Sequence, residues 1–545
     1  MVTVAQYLAH RLHALGARHL FGVPGDFSLS LLDSVLETDL LEWVGSPNEL
    51  NAGYAADSYA RTRGIGALVT TFGVGELSAI DAVAGAYAEN VPLVQITGAP
   101  ATGRDGMLLH HTLGDGDLGR FARAYAEVTA AGAVLTHDDP CGRIDAVLET
   151  AVRELRPVYV AIPADVAVAE VAGSRLRHPR TGTDSLSASE VEGFRDAVEG
   201  LLVGAHSAAV IAGHLVERTR SQRALRALVE AADSPVVTLT SGRGAIDTGH
   251  PLFAGVYIGE IGAKRAVLAV ETADVIVEVG TLMADAVTGM FSHRDDPAHT
   301  VHLGVRTARV AGREFAVPFA TALAVLTEVF AGTDLGRELP DLPPTGPVAG
   351  DALDQETLWA TVERHLPAGS RLVTDIGTTF WGAAGITLPT GSPIPTDVVA
   401  QPVWSSIGYA LPATLGCALA APQRRPVLVI GDGAAQMTVQ ELGNLARHAN
   451  PVVVVVDNAG YTIERALQSP QAVYNDVARW DWIALARAFA PGVDLRTAAP
   501  TTPAELDAEL AAALDDPRMA VLHVRLDPLD VPTGLQGLAD RAHGR

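Results

Sequence analysis

VLVIGDGAAQMTVQELGNLARHANPVVVVVDNAGYTIE, residues 427–464, is the stretch that decides the fold. It opens with an apolar run, turns through Gly-Asp-Gly at 431–433, continues as a helical pattern, and enters a second apolar run at 451–456. Continuous apolar runs of strand length on either side of a helix are typical of parallel strands, which are buried on both faces. The stretch therefore predicts a strand–helix–strand unit of a parallel sheet.

The same alternation continues along the whole chain. Short β-rich apolar runs are predicted as strands in three groups, at 67–72, 92–97 and 157–162; at 208–212, 235–240, 274–279 and 300–305; and at 371–376, 426–430, 451–456 and 520–526. Ala/Leu-rich helical stretches lie between them, so we expect the α/β class with three doubly wound parallel-sheet domains. The domains are predicted at residues 1–172, 190–332 and 352–545, with breaker-rich linkers at 173–189 and 332–351.

The first and third groups share a pattern that indicates a duplicated domain. In both, a strand is followed by Gly-x-Gly, at 73–75 and at 431–433, then by a helix, a proline and another strand. The intervals from the second glycine to the proline are 17 and 18 residues.

Charge and cysteine content restrict the class of protein. A net charge of −24 over 545 residues argues against nucleic acid or an anionic membrane as a partner. The apolar runs are far shorter than a membrane span, and the first residues have the pattern of an amphipathic helix and not of a secretory leader. With only Cys141 and Cys417 there is no disulfide framework, so we expect a cytoplasmic protein.

Polar residues follow two strands of the opening stretch. Asp432 and Asn458 each lie just past the end of an apolar run, and the carboxyl ends of parallel strands meet where such sheets bind ligands. A carboxylate, an amide oxygen and the carbonyl of Gly460 suit Mg²⁺, and glycines before a helix let the backbone approach a diphosphate. Each motif taken alone is also compatible with an ordinary tight turn.

Together these motifs resemble the thiamine-diphosphate enzymes, whose signature is GDG, about two dozen residues, and then NN. This chain has Asp457 at the first position of that pair and keeps Asn458 at the second. The resemblance implies thiamine diphosphate with Mg²⁺ held by Asp432, Asn458 and Gly460. It also implies a pyrimidine-binding first domain, a central degenerate nucleotide fold, and a diphosphate- and magnesium-binding third domain. The cofactor contacts that it implies are Glu49, Thr378, Ser405, Ile407, Asp432, Gly433, Ala434, Asn458, Gly460, Tyr461 and Ile463.

Glu49 has two interpretations. In SPNELNAGYAADSYARTRG, residues 46–64, Ser46 with Glu49 three positions later forms the pattern of a helix capping box. The segment also resembles the family's glutamate helix, which implies that Glu49 exchanges a proton with N1′ of the aminopyrimidine and activates the cofactor. That role requires a desolvated carboxyl group. The resemblance further implies that Ile407 bends the cofactor and that the Ser405 carbonyl holds its amino group.

Five further stretches resemble the pyruvate, indolepyruvate and branched-chain 2-oxo acid decarboxylases. They are GVPGD, SPNELNAGYAADSYAR, TTFGVGELSA, HHTLG and GYTIE, in that order. The implied reaction is non-oxidative loss of CO2 through an enamine on the cofactor, followed by proton transfers that release an aldehyde. The catalytic set implied is Asp26, Glu49, His110, His111 and Glu464. Histidines coupled to carboxylates suit such transfers near neutral pH.

The family pocket implies an apolar lining without a cation. Its residues would be Phe291, Ile376, Phe380, Trp381, Ile463, Leu467 and Leu538. We therefore expect a small 2-oxo acid with a branched or aromatic tail as substrate, handled by a homodimer with shared sites that pairs into a dimer of dimers. The alternatives are an acyloin-forming carboligase of the same superfamily and a catalytically silent protein that binds the cofactor.

Overall fold

The computed structural model describes residues 1–177, 186–294, 296–333, 335–336, 339–340, 342 and 346–544. It divides into two compact units, the first comprising Met1–Asp184 with Leu411–Pro422 and the second comprising Ser185–Ala410 with Gln423–Arg545. Of the predicted linkers, residues 178–185, 334, 337–338, 341 and 343–345 lie outside the described residues. The three domain boundaries stay a prediction. Among the described residues, no helix has the length and apolar character needed to cross a membrane.

Unit 1 contains a six-stranded parallel sheet in the order β3-β2-β4-β5-β7-β6, and β1 pairs with β8 as an antiparallel ribbon. Its strands are β1 Val2–Thr3, β2 His19–Gly22, β3 Glu42–Gly45, β4 Gly66–Thr71, β5 Leu93–Ala99, β6 Ala131–Val134, β7 Val158–Pro163 and β8 Glu170–Val171. Its helices are α1 Val4–Ala14, α2 Leu29–Leu36, α3 Glu49–Arg63, α4 Val74–Ala88, α5 Arg120–Ala126, α6 Pro140–Glu154 and α7 Ala164–Ala167.

Unit 2 contains two sheets, of which the first has seven strands in the order β11-β10-β9-β12-β13-β14-β15. All neighbours are parallel except β14, which runs antiparallel to β13 and β15. The strands are β9 Ala208–Ala212, β10 Val236–Thr238, β11 Phe253–Val256, β12 Val275–Val279, β13 Thr300–Leu303, β14 Ala308–Val310 and β15 Arg313–Phe315. The helices are α8 Ala188–Leu202, α9 Leu215–Arg218, α10 Gln222–Ala232, α11 Lys264–Glu271 and α12 Phe319–Phe330.

The second sheet of unit 2 is parallel, with six strands in the order β17-β16-β18-β19-β21-β20. The strands are β16 Arg371–Thr374, β17 Asp397–Val399, β18 Pro426–Gly431, β19 Val452–Asp457, β20 Arg496–Ala498 and β21 Ala520–Arg525. The remaining helices are α13 Gln355–His365, α14 Thr378–Gly385, α15 Ala410–Ala420, α16 Asp432–Thr438, α17 Leu442–His448, α18 Thr462–Leu467, α19 Trp482–Phe489, α20 Pro503–Asp515 and α21 Thr533–Ala542. Most of α15 belongs to unit 1.

The α/β class and its doubly wound parallel sheets are confirmed. Every residue of β4, β5 and β19 is buried, which is why these strands read as unbroken apolar runs in the sequence. The two six-stranded sheets have the same strand order when their strands are numbered along the chain, and each has its Gly-x-Gly turn after the third of those strands. This shared topology agrees with the repeat expected from the sequence.

Candidate active site

Asp432 lies at the carboxyl end of β18, where it begins α16. Its side chain is buried, and it accepts hydrogen bonds from the backbone N–H of Gly433 at 2.8 Å and of Gly460 at 3.1 Å. Burial outweighs these bonds and raises the pKa of Asp432 to about 7. A buried carboxyl group of this kind is suited to a cation, which would return it to the ionised form.

Three oxygen atoms converge beside it. The side-chain amide oxygen of Asn458 faces Asp432 Oδ1 at 3.1 Å and the carbonyl oxygen of Gly460 at 2.9 Å. In a protein without a bound ion, the amide would turn so that its nitrogen donates to both oxygens. A cation among the three reverses that preference, and an all-oxygen set is what Mg²⁺ favours. The residues present therefore fit a magnesium ion.

The backbone of this site is held by close contacts. Gly460 has φ +132°, and a Cβ there would lie 2.0 Å from the carbonyl oxygen of Asn475. The buried Arg465 donates to the carbonyls of Asn458 at 3.2 Å and Ala459 at 2.8 Å. A Cβ on Gly433 would lie 2.6 Å from the Tyr461 ring. Only glycine fits at position 460, and a larger residue at position 433 would require the Tyr461 ring to move.

Asp457, the departure from the family motif, has a partner of its own. Its Oδ2 lies 2.9 Å from Nε2 of the buried His523, which is on the adjacent strand β21. Its Oδ1 accepts from the backbone N–H of Ala459 at 3.3 Å. The Asp457 carboxylate therefore has partners within the protein. Of this pair of residues, Asn458 is the one whose side chain faces the candidate metal site.

Asp375 is a site residue that the sequence analysis missed. It follows β16 directly, is fully buried, and accepts from the backbone N–H groups of Ile376 at 3.0 Å, Gly408 at 3.2 Å and Ala410 at 2.8 Å. Burial raises the pKa of Asp375 to about 7. These bonds fasten the turn that carries Ser405, at φ +59°, and the half-buried Ile407. The available signal was a carboxylate closing an otherwise apolar strand.

Open space lies between these elements. A Cβ built on Gly377, after β16, or on Gly431, at the end of β18, has no atom of the described residues within 4 Å. These strands are neighbours at the point where the sheet order reverses, which is where ligands of such sheets bind. Among the other expected cofactor contacts, Thr378 is the buried first residue of α14, Ala434 is buried in α16, and Ile463 lies in α18.

Glu49 is the first residue of α3 in unit 1, and the capping-box interpretation is wrong. The N-cap is Asn48, whose side chain accepts from Asn51 N at 2.8 Å, whereas the buried Ser46 hydroxyl has no hydrogen-bond partner among the described residues. The helix begins two residues later than expected because asparagine supplies the capping oxygen. Glu49 is half-buried, and its Oε1 would lie 3.1 Å from a Cβ on Gly75.

Asp26, His110 and His111 come together in unit 1 from distant parts of the chain. His110 Nε2 lies 2.7 Å from Asp26 Oδ2, and ligand-type atoms of all three side chains lie within 4.8 Å of one another. Phe27, which the sequence analysis did not single out, stacks on His110 with ring centroids 4.8 Å apart. The Nδ1 atom of His111 is buried and has no hydrogen-bond partner in the described part of the chain. The group can pass protons between a carboxylate and two imidazoles.

The residues expected around the substrate tail are in unit 2. An apolar cluster formed largely by α14, α18 and α21 contains six of them, namely Ile376, which lies just before α14, and Phe380, Trp381, Ile463, Leu467 and Leu538. Phe291 lies outside this cluster and is 63% exposed. Glu464 is exposed in the first turn of α18, one residue from Ile463.

Comparisons with known proteins identify the family of this chain. Three family models match, described as the N-terminal TPP binding domain, the central domain and the C-terminal TPP binding domain of thiamine pyrophosphate enzymes, at residues 2–120, 196–328 and 375–524. A protein named alpha-keto-acid decarboxylase from Mycolicibacterium paratuberculosis is 42% identical over 97% of this chain and 95% of its own length. Proteins of the same name from Mycobacterium ulcerans and Mycobacterium tuberculosis are each 41% identical, over 98% and 97% of this chain and 95% of their own lengths.

Proposed function

This chain belongs to the thiamine pyrophosphate enzymes and is a 2-oxo acid decarboxylase, and we propose that its substrates carry a branched aliphatic or aromatic tail. The products would be CO2 and the aldehyde. The observation that carries the tail preference is the uncharged apolar cluster of α14, α18 and α21, and the observation that supports aldehyde release is the group formed by Asp26, His110 and His111. Aldehyde release requires a proton delivered to carbon and another removed from oxygen, and groups of this kind exchange protons near neutral pH.

Thiamine diphosphate, when bound, supplies the electron sink for the pair of electrons that departing CO2 leaves behind. We propose that Asp432, Asn458 and the Gly460 carbonyl hold the Mg²⁺ that neutralises the diphosphate. The convergence of their oxygens supports this assignment. The backbone at Gly433 and Ala434, in the first turn of α16, would donate to the diphosphate.

Different acidic and basic side chains of the protein would carry out the separate proton transfers. Glu49 would exchange a proton with N1′ of the aminopyrimidine, and its half-buried position against Gly75 supports that role. Asp26 and His111 would protonate the reacting carbon and take the hydroxyl proton, while His110, stacked on Phe27, would organise the pair. Glu464 would assist the departure of CO2. Ser405 and Ile407 would orient the cofactor's rings.

Tail preference follows from the apolar cluster on α14, α18 and α21. None of its members is charged, so a second carboxylate in the substrate would be desolvated without a partner. Burying a branched or aromatic tail is worth about 1.5–3 kcal/mol over leaving it in water. That energy corresponds to roughly 10- to 150-fold in kcat/KM where the tail fits.

We further propose a homodimer in which each site combines the Glu49 side of one chain with the Asp432 side of its partner, and a pairing of two such dimers. The exposed apolar residues Val74, Met107, Leu108 and Leu113 near the histidine pair support burial by a partner chain. Cys141 and Cys417 are buried and form no disulfide bond, which supports a cytoplasmic location.

The test is a panel of 2-oxo acids with thiamine diphosphate and Mg²⁺, with CO2 and aldehyde both measured. Pyruvate, 3-methyl-2-oxobutanoate, phenylpyruvate and indolepyruvate span the tail sizes, 2-oxoglutarate tests the second carboxylate, and Glu49→Gln is the matched inactive control. We expect kcat/KM for at least one large-tail acid to exceed that for pyruvate at least tenfold, about the lower limit of the tail-burial estimate. A pyruvate value equal to or above all three others would refute the tail preference. Acyloin as the main product would favour the carboligase.

A further inference from the structure

Glu76, in the first turn of α4, is a buried carboxyl group to which the proposed proton transfers assign no role. It is 0% exposed. Its Oε1 accepts from the backbone N–H of Gly73 at 2.8 Å, and its Oε2 accepts from the hydroxyls of Tyr159 at 2.7 Å and Thr97 at 3.4 Å. Among the described residues no cation forms an ion pair with it. Burial raises the pKa of Glu76 to about 7.

The turn that Glu76 closes contacts both groups of proposed catalytic residues in unit 1. Gly73 has φ +68°, and a Cβ there would lie 2.2 Å from the carbonyl oxygen of His111, which itself has φ +65°. Two residues later, Gly75 lies against Oε1 of Glu49. The turn between β4 and α4 therefore contacts both His111 and Glu49.

Further contacts tie this turn to the rest of unit 1. Tyr125, on α5 beyond the histidine loop, donates its hydroxyl to the Glu76 carbonyl at 2.6 Å. The Tyr125 and Tyr159 rings stack with centroids 4.7 Å apart. Through its side chain and its backbone carbonyl, Glu76 thus connects strands β5 and β7 and helix α5 to the turn.

A simple helix cap does not account for this arrangement. A glutamate at the third helical position caps a helix by bonding back to the N-cap amide, which takes only one of its oxygens. Full burial of a carboxyl group is unfavourable unless its hydrogen bonds are satisfied, and capping alone does not require it. The burial is explained if the turn must be held rigidly where His111 and Glu49 contact it.

Given the proposed function, we propose that Glu76 is a positioning residue that holds the Gly73–Gly75 turn and thereby sets the placement of His111 and Glu49. It touches neither substrate nor cofactor. Its contribution is made through the hydrogen bond to Gly73 and does not depend on its charge.

The test compares Glu76→Gln, which keeps an oxygen for the Gly73 amide, with Glu76→Leu, which keeps the volume and loses the oxygen. Tyr159→Phe is the matched control, because it removes a neighbouring donor and leaves the Gly73 bond intact. Three quantities are measured on the holoenzyme: kcat and KM, hydrogen–deuterium exchange at C2 of the bound cofactor, and the His110 and His111 NMR signals across pH.

We expect Glu76→Leu to lose about 100-fold in kcat, the effect of a misplacement of about 1 Å, with KM within about twofold of the parent. C2 exchange should slow and the His111 signal should shift. Glu76→Gln and Tyr159→Phe should keep kcat within about fivefold, since their Gly73 bond remains. A folded Glu76→Leu with parental kcat and C2 exchange overturns the proposal, as do equal losses in the Gln and Leu variants.

If Glu76→Leu does not fold, Glu76→Asp replaces it, because the shorter carboxylate does not reach the Gly73 amide. The same loss is then expected, and parental kcat and C2 exchange in Glu76→Asp would overturn the proposal. A parent that decarboxylates no 2-oxo acid would refute the proposed function alone. The C2 exchange and the histidine signals would still report whether Glu76 places Glu49 and His111.

Discussion

Replacement of Gly460 by alanine tests the metal assignment through backbone geometry. The residue has φ +132°, and the new Cβ would lie 2.0 Å from the carbonyl oxygen of Asn475. Non-bonded carbon and oxygen need about 3 Å, so the loop must move by about 1 Å. Strain in this φ region costs about 1–3 kcal/mol, and overpacking costs about 1–3 kcal/mol more.

That movement displaces one of the three oxygens proposed for Mg²⁺. Metal–ligand distances vary by only about 0.2 Å from their usual values. The Gly460 carbonyl would therefore no longer coordinate Mg²⁺. If about 3 kcal/mol of the strain opposes binding, affinity falls at least about 100-fold, since about 1.4 kcal/mol corresponds to a factor of ten. The assay is calorimetric titration of Mg²⁺ at saturating thiamine diphosphate, and of the cofactor at saturating Mg²⁺.

Two other glycines serve as controls for Gly460→Ala. Gly200, inside α8, has open space around a built Cβ, so Gly200→Ala should leave both affinities unchanged. Gly431→Ala introduces no contact within the described residues but fills the open space beside Asp432, so it should weaken cofactor binding without lowering the apoprotein's melting temperature. A folded Gly460→Ala with parental affinity for both ligands would refute the reasoning.

Three other predictions concern charged residues. Asp432→Ala should weaken Mg²⁺-dependent cofactor binding at least about tenfold with unchanged circular dichroism, and parental affinity in calorimetry would contradict the metal assignment. Mixing Glu49→Gln with Asp432→Asn subunits should restore activity, because one site of each heterodimer carries neither substitution; demonstrated subunit exchange without activity would reject shared sites. The pKa of Glu76 is raised from 4.5 to about 7, so the folded chain retains a proton that the unfolded chain has lost between these values. The stability contributed by this carboxyl is therefore present below pH 4.5 and lost as the pH rises to 7. Relative to the parent, the free energy of unfolding of Glu76→Gln should rise by up to about 3 kcal/mol over that pH range. Melting temperatures at pH 5, 6 and 7, with the exposed Glu127→Gln as control, measure the gain, and parallel curves for Glu76→Gln and the parent would contradict it.

Every strand expected from the sequence lies inside a sheet, although the inner strands β2 and β14 were not expected. All eleven apolar runs coincide with observed strands to within a few residues, because burial on both faces forces a continuous apolar sequence. The strands that were not expected include β3, β6, β17 and β20, which are the outer strands of the two six-stranded sheets. They are three or four residues long and only partly buried, so none of them forms a long apolar run, and β3, β17 and β20 also carry polar residues.

The candidate site was only partly visible in the sequence. The Asp432 and Asn458 positions follow from local motifs, because each ends a strand whose neighbours are known from the fold class. Asp375 was missed because it accepts hydrogen bonds from backbone N–H groups of residues more than 30 positions away in the sequence. The capping box failed because Ser46 and Asn48 are both good N-cap residues, and the choice between them depends on where the preceding strand ends.

By itself the sequence determined the α/β class, the parallel sheets and the membership in a family, because hydrophobic periodicity and short glycine motifs are local properties of the chain. Only the tertiary structure decided that Gly73 meets His111, that Gly75 lies against Glu49, and that Glu76 is sealed beneath them. These contacts join residues that are 26 to 38 positions apart. Their geometry depends on how strands and helices pack, and close packing is set by the whole unit and not by any one segment of it.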